Sequence, residues 1–135
     1  MSAKVLFSKN GTTGTTGANT QPLPATNGDD AKGLPVWLGL AAEFPMEFSF
    51  TKSTVDCVFG LEGSIDGTTW SPLAFYRCDT GALVSDLTLS ATGRVLVRPF
   101  LSLNLAAIRP VAYASAGPAA GDIAVVRSYY RGAVS

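Results

Sequence analysis

The run "EFPMEFSFT", Glu43 to Thr51, alternates without a break. Phe44, Met46, Phe48 and Phe50 fall on one side, and Glu43, Pro45, Glu47, Ser49 and Thr51 on the other. A repeat of two is that of a pleated strand with one buried face. "VDCVFGLEGS" continues the pattern, with Val55, Cys57, Phe59 and Leu61 inward. Further runs of the same kind, "WSPLAFYRC", "LVSDLTLS", "RVLVRPFL", "AIRPVAYAS" and "DIAVVRSYY", are separated by "DG", "TG", "ATG" and "AGPAAGD", which punctuate as turns. No helical periodicity lasts beyond two turns, and the one helix candidate is "SLNLAAI". The pattern predicts an all-β chain: an antiparallel β-sandwich of about eight strands, jelly-roll-like or Ig-like in connectivity. Pro45 cannot donate to a ladder, which places the "EFPMEFSFT" strand at an edge or its start near a bulge.

Ahead of these strands lies "NGTTGTTGANTQPLPATNGDDAKG", Asn10 to Gly33, built mostly from Gly, Thr, Asn, Ala and Pro. It has no apolar period and too little apolar area to offset its own ordering entropy. The 135 residues therefore divide into an extended Gly/Thr-rich N-terminal arm, 1–33, and a sandwich domain, 34–135. Such an arm is expected to take its shape against other chains.

Charged residues make up 15% of the chain and the formal net charge is zero, so no overall field draws nucleic acid or an anionic membrane. The charge is uneven, however. Met1 to Tyr76 holds four lysines and seven acids, and Arg77 to Ser135 six arginines and three acids. Arginine is the cation enriched at protein interfaces, where lysine is depleted. Histidine is absent, which excludes Ser-His-Asp and Cys-His arrangements and removes the commonest metal ligand. "MSAKVLF" turns polar at Ser8, and the longest apolar run, Leu34 to Ala42, is too short to cross a bilayer. The expectation is a soluble protein made in the cytoplasm.

The stretch "LEGSIDGTTWSPL", Leu61 to Leu73, offers the most chemistry. Asp66-Gly67 is the preferred dipeptide of a two-residue type I′ hairpin turn. Only Glu62 and Asp66 are acidic there, too few oxygen ligands for a calcium loop, so the stretch reads as a turn and no metal is expected. Trp70 on the hairpin arm reads as a core residue ahead of a sugar platform. A two-residue turn sets Cys57 opposite Tyr76 with Cys78 on the diagonal, whereas a four-residue loop sets the cysteines face to face; two reduced, buried thiols are expected. Glu43 and Glu47 lie roughly 13 Å apart along a strand, beyond the about 5–9.5 Å of a glycosidase pair. "GTTGTTG" lacks the lysine and the strand-helix setting of a phosphate loop. No catalytic residue and no cofactor is expected. Arg94, Arg98, Arg109 and Arg127 fall on different strands without the interleaved aromatics of a nucleic-acid groove.

The pair "LEGSIDGTTWSPLA" and "IRPVAYASAGPAAGDIAVV", within Val55 to Tyr130, resembles small β-sandwich structural proteins of tailed bacteriophages, in which an "EGS-x-DG-x-x-W" hairpin precedes an "xIRP" strand. The arm is similar to the tails with which capsid decoration (cement) proteins staple neighbouring capsomers. That resemblance implies a non-enzymatic virion protein on the outer surface of the capsid. Its partners would be the major capsid protein and further copies of itself, with no nucleic acid, membrane or small-molecule substrate. Phe7, Leu23 and Leu34 would anchor the arm, and Arg94, Arg98, Arg109 and Arg127 would meet acidic capsid surface. A tail, collar or baseplate subunit is the nearest rival. A carbohydrate-binding or fibre module stacking sugars on Trp70, Tyr76 and Tyr113 is another.

Overall fold

Phe48, Phe50 and Met46 are buried together with Phe59, Leu61 and Phe75, and that contact is what holds two sheets face to face. The computed structural model describes residues 2–10, 23–38, 45–100, 105–119 and 121–130. Within these the chain forms eleven strands and no α-helix: β1 (Ser2–Asn10), β2 (Val36–Trp37), β3 (Met46–Thr51), β4 (Cys57–Ser64), β5 (Ser71–Leu73), β6 (Phe75–Arg77), β7 (Leu83–Val84), β8 (Asp86–Leu89), β9 (Gly93–Pro99), β10 (Ala107–Ala114) and β11 (Ile123–Tyr130). One sheet runs β1-β11-β3-β9-β6-β7; the other runs β2-β10-β4-β5, with β8 also paired to β4. All pairings are antiparallel. The all-β sandwich expected from the period-two runs is the fold.

The strand count exceeds about eight in part because two of the expected strands are each broken by a change of sheet, and in part because the two-residue β2 falls in none of the expected runs. "WSPLAFYRC" becomes β5 in one sheet and β6 in the other, turning at Ala74, whose carbonyl accepts the Phe100 N–H at 3.0 Å. "LVSDLTLS" becomes β7 and β8 across Ser85 in the same manner. Both proposed cysteine registers fail for that reason. Cys57 faces Leu89 and Ala114 across its ladders, while Cys78 has left for the other sheet. Both thiols are free, as expected, but Cys57 is buried and Cys78 exposed.

Two further expectations are corrected. β3 lies inside its sheet between β11 and β9, and Pro45 stands just before its first paired residue, so no ladder bond is lost. The candidate helix "SLNLAAI" ends as strand: Ala107 and Ile108 pair with Ser64 and Gly63, and 101–104 lie outside the described residues.

The division at residue 33 does not interrupt the fold. β1 is an edge strand paired along β11, with Leu6 as an extra residue between Val5 and Phe7. The Leu6 carbonyl, turned off the ladder by this bulge, accepts the Leu34 N–H at 2.8 Å, while Gly33 N–H reaches the Pro110 carbonyl at 2.8 Å. Residues 33–34 thus stitch one sheet edge to the other, and the bulge blunts what would be an exposed edge. Gly33 is required by the closeness of this crossing: a Cβ would stand 2.5 Å from Pro110 Cγ and 2.7 Å from the Leu6 oxygen. Further upstream, Leu23 is buried, the Pro24 carbonyl accepts from Ala114 N–H, and Asp29–Ala31 make a single 3-10 turn. Residues 11–22, the most repetitive part of the expected arm, lie outside the described residues.

Candidate functional site

Strand β9 carries the clearest functional signal. Val95, Val97 and Pro99 point into the core, so the opposite phase presents Arg94, Leu96, Arg98 and Phe100 to solvent as one alternating row. Cross-strand pairing widens that row into a face. Tyr76 of β6 sits directly between Arg98 and Leu83 of β7. Arg98 lies over the Tyr76 ring at 5.4 Å, and Phe100 packs beside the ring with centroids 6.0 Å apart. Leu83 and Leu96 are about half exposed, at 49% and 47%. Tyrosine, phenylalanine and arginine are residue types enriched at protein interfaces.

Beside the row, a trough of about 750 Å³ is lined by Pro45, Glu47, Cys78, Asp79, Arg94 and Leu96. Glu47 is only 7% exposed, and its carboxylate lies 3.4 Å from Arg127 Nη1 and 3.7 Å from Arg94 Nη1. One glutamate thus holds two arginines from β9 and β11 on the same face. Glu43 lies outside the described residues. Arg77 and Asp79 close the margin with a two-point ion pair at 3.0 and 2.8 Å.

Of the four arginines expected on different strands, Arg94 and Arg98 instead share β9, at period two, and stand with Arg127 of β11 on this face; Arg109 does not. Arg109 lies on the outer face of the other sheet, opposite Glu62, donating from Nε and Nη2 to Glu62 Oε1 at 2.9 and 2.8 Å. Lys32 takes Glu62 Oε2 at 3.0 Å. Trp70, expected in the core, is only half-buried and lies beneath the Arg109 guanidinium at 4.3 Å, a cation-π contact worth roughly 0.5–1 kcal/mol. One ring face of Trp70 and one of Tyr76 are therefore already occupied by guanidinium. Phe7 and Leu23, expected to anchor an arm on other subunits, are buried in this chain's own core at 3% and 2% exposure; Leu34 is 55% exposed.

No family model matches this sequence. No curated protein matches it either. Among solved structures the chain is similar to one titled "Crystal structure of SPBc2 prophage-derived protein YomS", with a TM-score of 0.48 and 12% identity over 72% of this chain and 78% of that one. A likeness of that size carries no assignment of function.

The "LEGSIDGTTWSPL" turn is larger than a two-residue hairpin, since Gly63 and Ser71 are the last paired residues. Asp66 Oδ1 accepts N–H groups from Thr68 and Thr69, both at 2.8 Å, and the Ser64 hydroxyl at 3.0 Å, while Ser64 Oγ accepts from Gly67 N–H. The Thr69 and Thr68 amides, then Ser64, hold the Asp66 carboxyl well below the usual carboxylate range. Gly67 has φ +82°, and a Cβ there would meet the Trp37 indole at 2.6 Å, so a positive dihedral and a covering ring both require glycine. Among the described residues no three Cys, Asp or Glu side chains stand together in a way that could hold a metal ion, and no helix is long and apolar enough to cross a membrane.

The row on β9 was open to sequence reading: "RVLVRPF" at period two places both arginines with Leu96 and Phe100. The inward Val-Val-Pro set was the missing step, because an exposed leucine alone carries no signal. The two thiols give a simple check on the face. Burial pushes the Cys57 thiol up to about 12, against a backbone hydrogen bond from Tyr113 that lowers it, whereas Cys78 lines the trough. Ellman's reagent is expected to titrate one thiol in the native protein at pH 8 and the second only after denaturation. Rapid reaction of both in the native state would contradict this placement.

Proposed function

We propose that this chain is a non-enzymatic structural subunit of a tailed-phage virion, a capsid decoration or cement protein that docks through the outer face of its six-stranded sheet. The observation that carries the reading is the Arg94-Leu96-Arg98-Phe100 row with Tyr76 and Leu83 beside it: exposed apolar anchors rimmed by guanidinium groups. Such a face suits an acidic protein surface with an apolar centre, since arginine can bind carboxylates bidentately while its stem covers carbon. The resemblance of the "EGS-x-DG-x-x-W" hairpin and "IRP" strand to phage sandwich proteins supplies the virion context. Decoration works by mass action: surface that exists only in the assembled shell binds the subunit, and that binding stabilises the shell. A standard interface needs roughly 800 Å² from each partner. In this reading docking falls to the sheet face, because Phe7 and Leu23 are committed to the core.

The test is co-sedimentation of purified protein with heads, and separately with tails, of the phage that carries it. Saturable binding to heads is expected. Leu96→Asp and Arg98→Glu should each weaken it by about thirtyfold, the effect of losing an interface anchor worth about 2 kcal/mol. Binding to tails alone would assign the subunit to tail, collar or baseplate. Variants that bind heads as tightly as the parent would remove this face from the mechanism.

A further inference from the structure

The Leu61–Leu73 hairpin has a role beyond closing two strands. Its loop forms the rim of an opening of about 500 Å³ at one end of the sandwich, lined by Gly63, Leu73, Leu105, Ile65, Asp66 and Thr69 among others. Gly63 and Leu73 are on the core-facing phase of β4 and β5, so the floor of the opening is the inner surface of the sheet. Gly63 lies under the Leu105 and Leu73 side chains, 3.3 and 3.6 Å from where a Cβ would stand, so a larger residue there would crowd both and fill the opening from its floor. Ile65, 73% exposed, forms one lip. Asp66 stands on the rim, fixed by its own loop amides. Among the described residues it has no ion-pair partner.

An apolar slot with a fixed carboxylate at its mouth selects its occupant. A purely aliphatic side chain fills the slot and leaves the carboxylate unused, and an anionic one is repelled by it. A lysine side chain satisfies both parts, with a four-carbon stem along Leu73 and Leu105 and an ammonium at Asp66. We infer that this opening is a docking slot for a lysine side chain presented by a partner protein. Trp37, packed over Gly67, holds the loop in place for that contact. The inference does not depend on the β9 face, from which it differs in residues and in the charge it seeks.

The probe is Nα-acetyl-lysine-N-methylamide, followed by amide chemical shifts of the full chain. Shifts concentrated at Gly63, Leu73 and Leu105, with a dissociation constant on the order of millimolar, are expected for a fragment of this size. The Nε-acetylated compound, which lacks the charge, should bind about threefold more weakly, as befits a solvent-exposed ion pair. Asp66→Asn, which keeps the acceptor oxygen for the loop amides, should erase that threefold preference. Gly63→Val, checked for folding by its thermal melt, should abolish binding of both compounds. Leu96→Asp should leave both unchanged, so failure here and failure of the head-docking face are read separately. Equal binding of the charged and acetylated compounds would overturn the inference, as would binding that survives in folded Gly63→Val. Binding of butylammonium without binding of the blocked lysine would assign the slot to a small amine and overturn it too.

Discussion

Phe48→Ala is expected to remove about 4 kcal/mol of folding stability, close to the full effect of deleting a large core side chain. Phe48 is completely buried in β3, and its ring is the main bridge between the sheets. It stacks on Phe59 of the opposite sheet with centroids 4.9 Å apart and planes 11° apart, and it meets Phe75 edge-on at 5.5 Å and 89°. Truncation therefore loses the transfer energy of the ring, leaves a cavity between two sheets that cannot collapse locally, and removes two aromatic pairs worth roughly 0.5–1.5 kcal/mol each. Domains of this size have total stabilities of about 5–15 kcal/mol, so the variant should be folded but marginal. Phe48→Leu, which keeps most of the volume, should lose only about 1–1.5 kcal/mol. Urea unfolding followed by tryptophan fluorescence gives both values. A loss below about 1.5 kcal/mol for Phe48→Ala would show that the sheets are held elsewhere.

The second large effect is expected at Asp122, where Asp122→Ala should lose about 3 kcal/mol. The carboxylate is buried at 0% exposure, at the start of β11. Its Oδ1 accepts the N–H groups of Ser53 at 2.6 Å and Thr54 at 2.8 Å; its Oδ2 accepts the Thr54 hydroxyl at 2.6 Å and Ala119 N–H at 2.8 Å. One side chain thus satisfies the turn after β3 and the loop before β11. Alanine leaves those donors unpaired, at about 1–3 kcal/mol for each buried group that water cannot reach. Burial pushes the Asp122 carboxyl upward, but the Thr54 hydroxyl and the Ala119, Thr54 and Ser53 amides outweigh it and hold the group well below the usual carboxylate range. The sign of the pH effect follows. A group whose folded value is depressed stabilises the fold above its unfolded value, about 3.9 for aspartate, and that contribution disappears as the pH falls toward the folded value. The parent should therefore lose stability from about pH 4 downward, and Asp122→Ala should lose markedly less over the same interval. Parallel acid curves for the two proteins would mean that other carboxylates control acid unfolding.

Sequence reading fared differently at these sites. The burial of Phe48, Phe50, Phe59 and Leu61 was legible, because a period-two run allows only two phases and only one is apolar. Asp122 was not, since "AGPAAGD" marks a turn and nothing local reveals that its last residue serves amides almost seventy positions earlier. Trp70 was misplaced for a related reason. A large aromatic on a strand is usually core, and Arg109, the partner that keeps it at the surface, is distant in sequence.

The sequence by itself determined the all-β class and the inward phase of its two clearest runs, those of β3 and β4, because these rest on alternation within a few neighbours. Tertiary structure alone decided where a run changes sheet, at Ala74 and Ser85, and so which residues share a face. Arg94 of β9 meets Arg127 through Glu47 only because β3 lies between β9 and β11. Strand order is set by packing the two inner surfaces as one core, an energy summed over contacts far apart in the chain, and no local pattern encodes it.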